Sequence, residues 1–226
     1  MPPLDTLLQN ARIWRGDDRA EVEVPSVPTG HDALDRLLPG NGWPRAALTE
    51  LLAPQPGIGE LSLLTPALAR LSDDDSWIAL VSPPHLPYAP ALARTGINLS
   101  RLLIVRTNDG ADTLWAMEQA LASGACGAVI GWPSFVNERA LRRLQLAAEK
   151  GRALGLYFSA GQATSSSLAA LRLALFARPD GLGVRVLKVR GPGIGVTLTL
   201  PLADRPRDTP APAPASALSL RQSHAA

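Results

Sequence analysis

Between residues 47 and 158, short apolar runs alternate with segments whose apolar residues recur at helical spacing. That alternation limits the fold more than any other feature. The runs at 47–52, 77–81, 102–105, 128–130 and 154–158 are too short for helices and rich in β-forming side chains, so they read as strands. The intervening segments 61–71, 88–95, 113–122 and 137–150 read as helices. In 113–122, Leu114, Met117 and Leu121 share one face; in 137–150, Ala140, Leu141, Leu144, Ala147 and Ala148 do so. Pro90 is compatible with a first helical turn. Parallel strands need crossovers of about this length, so the pattern predicts βαβ units around a parallel sheet. After residue 158 the pattern changes. The runs 171–177, 183–190 and 195–200 are joined by Pro179-Asp180-Gly181 and Gly191-Pro192-Gly193, turn chemistry that predicts antiparallel strands.

Upstream, Leu4, Leu7, Leu8, Ala11 and Trp14 predict a short amphipathic helix over 4–14, followed by a charged linker to about residue 26. Thr29 and Gly30 open a second short helix with Ala33, Leu34, Leu37 and Leu38 on one face, which Pro39-Gly40-Asn41-Gly42 ends. From about residue 203 the chain is rich in Pro, Ala and Ser and reads as a disordered tail. The expected organisation is a helix and linker over 1–23, an α/β domain over 24–202 and a tail over 203–226. At 46% hydrophobic residues the domain can bury a sizeable core. A net charge of +2 does not mark a nucleic-acid binder, and a single cysteine, Cys126, precludes an intrachain disulfide. No signal peptide and no run of 18 apolar residues is seen, which predicts a cytoplasmic protein without a membrane partner.

The strand at 47–52 leads into Ala53-Pro54-Gln55-Pro56-Gly57-Ile58-Gly59-Glu60-Leu61-Ser62 and then a helix. This is the place of a phosphate-binding P-loop, G-x-x-x-x-G-K-S/T, whose amides, lysine and hydroxyl hold phosphates and Mg²⁺. Here Ala53 stands for the first glycine and the loop is one residue longer. Gly57 and Gly59 remain, Glu60 stands for the lysine, and Leu61 for the hydroxyl. A unit-charge contact at about 4 Å is worth roughly 4 kcal/mol at an effective dielectric of about 20. Reversing its sign exceeds the usual margin of nucleotide binding.

The surrounding segments resemble RecA. Thr29-Gly30-His31-Asp32-Ala33-Leu34-Asp35 is similar to its T-G-x-x-x-L-D segment. Gly42-Trp43-Pro44 followed by Leu48-Thr49-Glu50-Leu51-Leu52-Ala53-Pro54 is similar to its G-L-P…E-I-x-G-P stretch. The resemblance covers roughly 24–200 and implies a RecA-like core: a mainly parallel sheet flanked by helices, with antiparallel strands added at the C-terminal end. It also places Pro84 where RecA has its catalytic glutamate and Gly131 where the Mg²⁺-binding aspartate ends a strand. Phosphoryl transfer depends on these positioning groups, so the resemblance implies no ATPase, no cofactor and no metal. The second RecA DNA-binding loop would lie near 161–167, which carries no basic residue, so filament-style DNA binding is not expected.

Two inactive relatives of RecA match this pattern, the ImuA family and the SulA family. The upstream segments and the C-terminal strands favour ImuA. That resemblance implies a non-catalytic accessory in damage-induced translesion synthesis, with an ImuB-type polymerase homologue and an error-prone replicative-type polymerase as partners and RecA as a further one. The alternative is a SulA-like division inhibitor that binds FtsZ. Candidate partner-binding residues are the basic set Arg139, Arg142, Arg143, Lys150 and Arg152, read either as a solvated helix face or as a dock for an acidic partner or DNA phosphate. Trp132 is expected to fill the former nucleotide crevice, with an exposed interface anchor as the alternative. His31, His85 and His224 lack metal-ligand spacing, and Asp73-Asp74-Asp75 reads as an acidic turn.

Overall fold

A computed structural model describes residues 25–160, 167–190 and 193–201. The expected N-terminal helix and C-terminal tail lie outside these residues, as does most of the 161–167 loop. Ten strands and five α-helices are described: β1 (Ser26–Val27), α1 (Asp32–Asp35), β2 (Trp43–Pro44), β3 (Ala47–Leu52), α2 (Thr65–Asp73), β4 (Trp77–Val81), α3 (Ala89–Arg94), β5 (Leu102–Val105), α4 (Gly110–Ala122), β6 (Cys126–Gly131), α5 (Glu138–Gly151), β7 (Leu154–Ser159), β8 (Leu171–Arg178), β9 (Gly181–Lys188) and β10 (Thr197–Leu200).

Eight strands form one sheet in the order β10-β9-β8-β3-β7-β6-β4-β5. From β5 to β8 all pairings are parallel; β8–β9 and β9–β10 are antiparallel. The mixed α/β architecture expected from the alternation is therefore present. β8 joins the two patterns, since it pairs parallel to β3 and antiparallel to β9. Side-chain alternation divides the core between the two faces of the sheet. Leu51, Ile78, Leu80, Ile130, Leu154 and Leu156 pack with Leu64, Leu68 and Leu71 on and before α2. Leu48, Val81, Val129 and Tyr157 pack with Met117, Leu121, Leu141 and Leu144 of α4 and α5.

Several boundaries differ from expectation, each for a local reason. The helix expected from residue 61 becomes regular only at Thr65, and residues 61–64 form turns. Pro66 has no N–H for the Ser62 carbonyl, and the Thr65 hydroxyl takes its place at 3.1 Å. The upstream helix is a single turn, α1, with Leu34 and Leu38 buried but Ala33 exposed. The Thr29 N–H donates to Asp35 Oδ1 at 2.9 Å, so the Thr and Asp of that segment close a loop on each other. Gly30, at φ +82, lies where a Cβ would come within 2.3 Å of Pro66, which ties this loop to α2. The β8–β9 hairpin is tighter than expected, with only Pro179 and Asp180 between the strands, so β9 begins at Gly181 and not at 183.

Candidate functional site

The loop after β3 is filled from within. Pro54, Gln55, Pro56 and Gly57 are exposed, whereas Ile58 and Glu60 are buried. Both Glu60 carboxylate oxygens accept from the Gly57 N–H, at 3.0 and 3.1 Å. Gly57 has φ +86, a conformation that turns its amide inward at little cost for glycine. A P-loop offers such amides to phosphate; here the chain's own carboxylate occupies one of them. The sequence indicates repulsion from Glu60. The geometry adds that the loop already holds an anion. Replacing Glu60 with Ala should lower stability by about 1–3 kcal/mol, because a charge-assisted bond is lost and a backbone amide is left open. Denaturant unfolding would measure this.

The other two positions lie at the same edge of the sheet, Gly131 as the last residue of β6 and Pro84 beyond the C-terminal end of β4. Val81 and Gly131 are register partners there, and Pro84 follows as an exposed loop residue. β7 separates β3 from β6, so the loop and Gly131 stand on either side of one strand. Gly131 is buried, and a Cβ on it would lie 2.2 Å from Met117 Sδ. The aspartate position is therefore filled by Met117. Ser82, at φ +53, turns the chain off β4; its hydroxyl joins Thr107 and Thr113, and those two are 2.7 Å apart. Trp132 is half-buried and stacks on Phe158 with ring centroids 4.9 Å apart and 13° between planes. It packs against the core.

The sheet also holds a buried ionic network that no sequence motif marks. Glu50 of β3 and Arg172 of β8 are register partners, and Arg172 Nε donates to Glu50 Oε2 at 2.6 Å. Ser159 donates to the other Glu50 oxygen at 2.8 Å. Tyr157 lies 3.2 Å from the Ser167 hydroxyl, and Lys188 Nζ donates to the Ser167 carbonyl at 2.7 Å. Burial alone would push the Glu50 carboxyl up; the Arg172 and Ser159 bonds outweigh it and hold the group below the ordinary glutamate value. Burial also pushes the Tyr157 phenol far up, so it stays protonated. A charged residue inside each of two apolar strands, T-E-L-L and L-R-L-A, was the available signal.

The basic set is only partly free. Arg142 pairs with Glu138 at 2.5 Å, and Arg143 pairs with Glu118 across α4 and α5. Arg139, Lys150 and Arg152 are exposed and form no ion pair among the described residues. Arg152 caps α5 in the left-handed conformation at φ +54. Among the described residues, no group of three or more His, Cys, Asp or Glu could hold a metal, and no helix is long and apolar enough to cross a membrane. Asp75 instead pairs with Arg101, and burial pushes the Cys126 thiol up, consistent with a packed side chain.

The class that emerges is an α/β protein with an eight-stranded, mostly parallel sheet whose loop after β3 is tied by the Glu60 carboxylate on the Gly57 amide. Comparison with known proteins narrows it. The model of the family described as cell division inhibitor SulA matches residues 48–155. The cell division inhibitor SulA of Pseudomonas aeruginosa is 34% identical over 138 residues, 60% of this chain and 85% of that protein. Its crystal structure matches at TM-score 0.43 and 31% identity, covering 50% of this chain and 98% of that one. The chain belongs to the SulA family. It is also similar to RecA of Chlorobaculum parvum, 33% identical over 116 residues, 51% of this chain and 33% of that protein. ImuA of Caulobacter vibrioides is 29% identical over 141 residues, 59% of this chain and 57% of that protein. The chain thus spans about a third of that RecA and just over half of that ImuA.

Proposed function

We propose that this chain is a non-catalytic accessory protein of the DNA-damage response that works by binding other proteins in error-prone translesion synthesis. The observation that carries the non-catalytic part is the Glu60 carboxylate seated on the Gly57 amide, in the loop where a phosphate would sit. The occupied space at Gly131 adds to it, since a metal-binding aspartate there would meet Met117. The accessory role is supported by the similarity to ImuA and by two elements outside the 48–155 match. These are the 25–44 segment, built into the core through Val27, Leu34 and Trp43, and the β8–β10 extension of the sheet. The partners under this reading are an ImuB-type polymerase homologue, an error-prone replicative-type polymerase and RecA.

A second reading, a division inhibitor acting on FtsZ, is favoured by the family match and by the 85% coverage of the Pseudomonas aeruginosa protein. One experiment separates the two. The tagged full chain, purified from DNA-damaged cells, should bring down the ImuB-type homologue and leave FtsZ GTPase activity unchanged. Recovery of FtsZ with loss of its GTPase activity, without the polymerase homologue, would establish the second reading. Calorimetry should detect no ATP–Mg²⁺ binding up to millimolar nucleotide; micromolar affinity would overturn the closed-loop reading.

A further inference from the structure

The groove between α4 and α5 has a chemistry that neither reading above uses. Leu114, Trp115 and Glu118 line it from α4, and Arg139 and Arg143 from α5; its volume is about 420 Å³. Trp115 is 61% exposed, and Phe135, two residues before the groove residue Asn137, is 70% exposed. Single exposed apolar residues are ordinary on protein surfaces. Here the groove wall itself leaves a tryptophan uncovered, while Trp43 is fully buried and Trp132 is stacked.

The charges in the groove have a defined arrangement. Arg143 reaches across from α5 and donates to Glu118 through both Nε and a terminal nitrogen. This bidentate bond uses the carboxylate of Glu118 and fixes the plane of the guanidinium. Arg139, one turn earlier on α5, forms no ion pair among the described residues. The groove therefore presents an apolar ring next to an unpaired arginine and a positioned one.

We propose that this groove docks an acidic segment of a partner protein, with one apolar or aromatic side chain against Trp115 and a carboxylate on Arg139. Charge complementarity argues for an acidic occupant. A nucleic-acid strand needs a track of free cations, whereas Arg142 is tied to Glu138 and Glu118 lies in the groove itself. A second copy packed groove to groove would set arginine against arginine. The chain's own segment 203–226 carries Arg205, Arg207 and Arg221 against Asp204 and Asp208, so its sign is wrong. The proposal rests on the reading that the chain works by binding proteins, and it specifies the surface and the partner chemistry.

The test is panning of a random 12-residue peptide library against the full chain, followed by titration of the enriched peptides with the wild type and with Trp115→Ala, Arg139→Glu and Arg178→Glu chains. Enriched peptides should combine at least two acidic residues with an apolar anchor. Their affinity should fall about tenfold or more with Trp115→Ala or Arg139→Glu and stay unchanged with Arg178→Glu, a surface control on β8. All three positions are exposed, and circular dichroism checks that each variant folds. Enrichment of basic peptides, or binding indifferent to Trp115 and Arg139, would overturn the proposal. So would binding of a 20-nucleotide oligo-dT that the same two substitutions abolish. If the Trp115→Ala and Arg139→Glu chains still recover partners from damaged cells as the wild type does, the groove assignment fails while the accessory reading stands.

Discussion

Replacing Gly131 with Asp, the residue a working metal site would need there, should cost roughly 3 kcal/mol or more of stability and give no Mg²⁺–nucleotide binding. Two effects add. A Cβ at this position would lie 2.2 Å from Met117 Sδ and 2.6 Å from its methyl carbon, and Met117 is itself fully buried. Met117 is flexible and can turn, but it is fully buried, and overpacking of this kind costs typically about 1–3 kcal/mol. The carboxyl would also enter a site walled by Met117 and the end of β6, where burial without a partner is costly. The Gly131→Ala chain isolates the first effect and should lose about 1–3 kcal/mol. Combining it with Met117→Ala should cost less than the sum of the two single changes, because each relieves the other. Strict additivity in denaturant midpoints would show that Met117 does not close the site.

The parallel part of the fold was legible because its signal is local. Each strand between 77 and 159 is a compact apolar run, and each crossover carries helical spacing, so period alone identifies both. The same locality explains the misplaced boundaries. Leu61, Leu63 and Leu64 continue the apolar pattern toward the helix, and only the missing N–H of Pro66 shows that the regular helix begins later. The placement of Glu60 was legible as a charge but not as a contact. Nothing in the order of residues says that its carboxylate turns back onto the amide three residues earlier. The status of Gly131 was likewise half visible: the missing aspartate is in the sequence, but the presence of Met117 over it depends on how α4 lies on the sheet. The basic set looked uniform in the sequence because Glu118, which positions Arg143, is 25 residues away. The Glu50–Arg172 pair was hidden for the same reason at a separation of 122 residues.

That pair should give the second large effect. Replacing Arg172 with Met leaves the Glu50 carboxylate buried without its cationic partner, held only by neutral hydroxyl donors such as Ser159 and Ser167. Breaking one side of a buried ion pair costs about 3–5 kcal/mol, most of it from the charge left behind. Replacing both residues, Glu50→Leu with Arg172→Met, should recover much of that loss, since a well-packed apolar pair of similar volume is often neutral to stability. A double-mutant cycle read by denaturant unfolding measures the difference, and a double mutant as unstable as Arg172→Met alone would show that the arginine acts through something other than this pair. The pH dependence has a definite sign. Glu50 is held below its ordinary value of 4.5, so its contribution is fully present above that pH and is lost as pH falls through the lower, folded value. The wild type should therefore lose stability in acid more steeply than the doubly replaced chain. In the Arg172→Met chain the effects that lower the Glu50 value lose their main source, burial dominates, and the carboxyl should rise above its ordinary value. Its stability should then improve as pH falls toward that range, the reverse of the wild type.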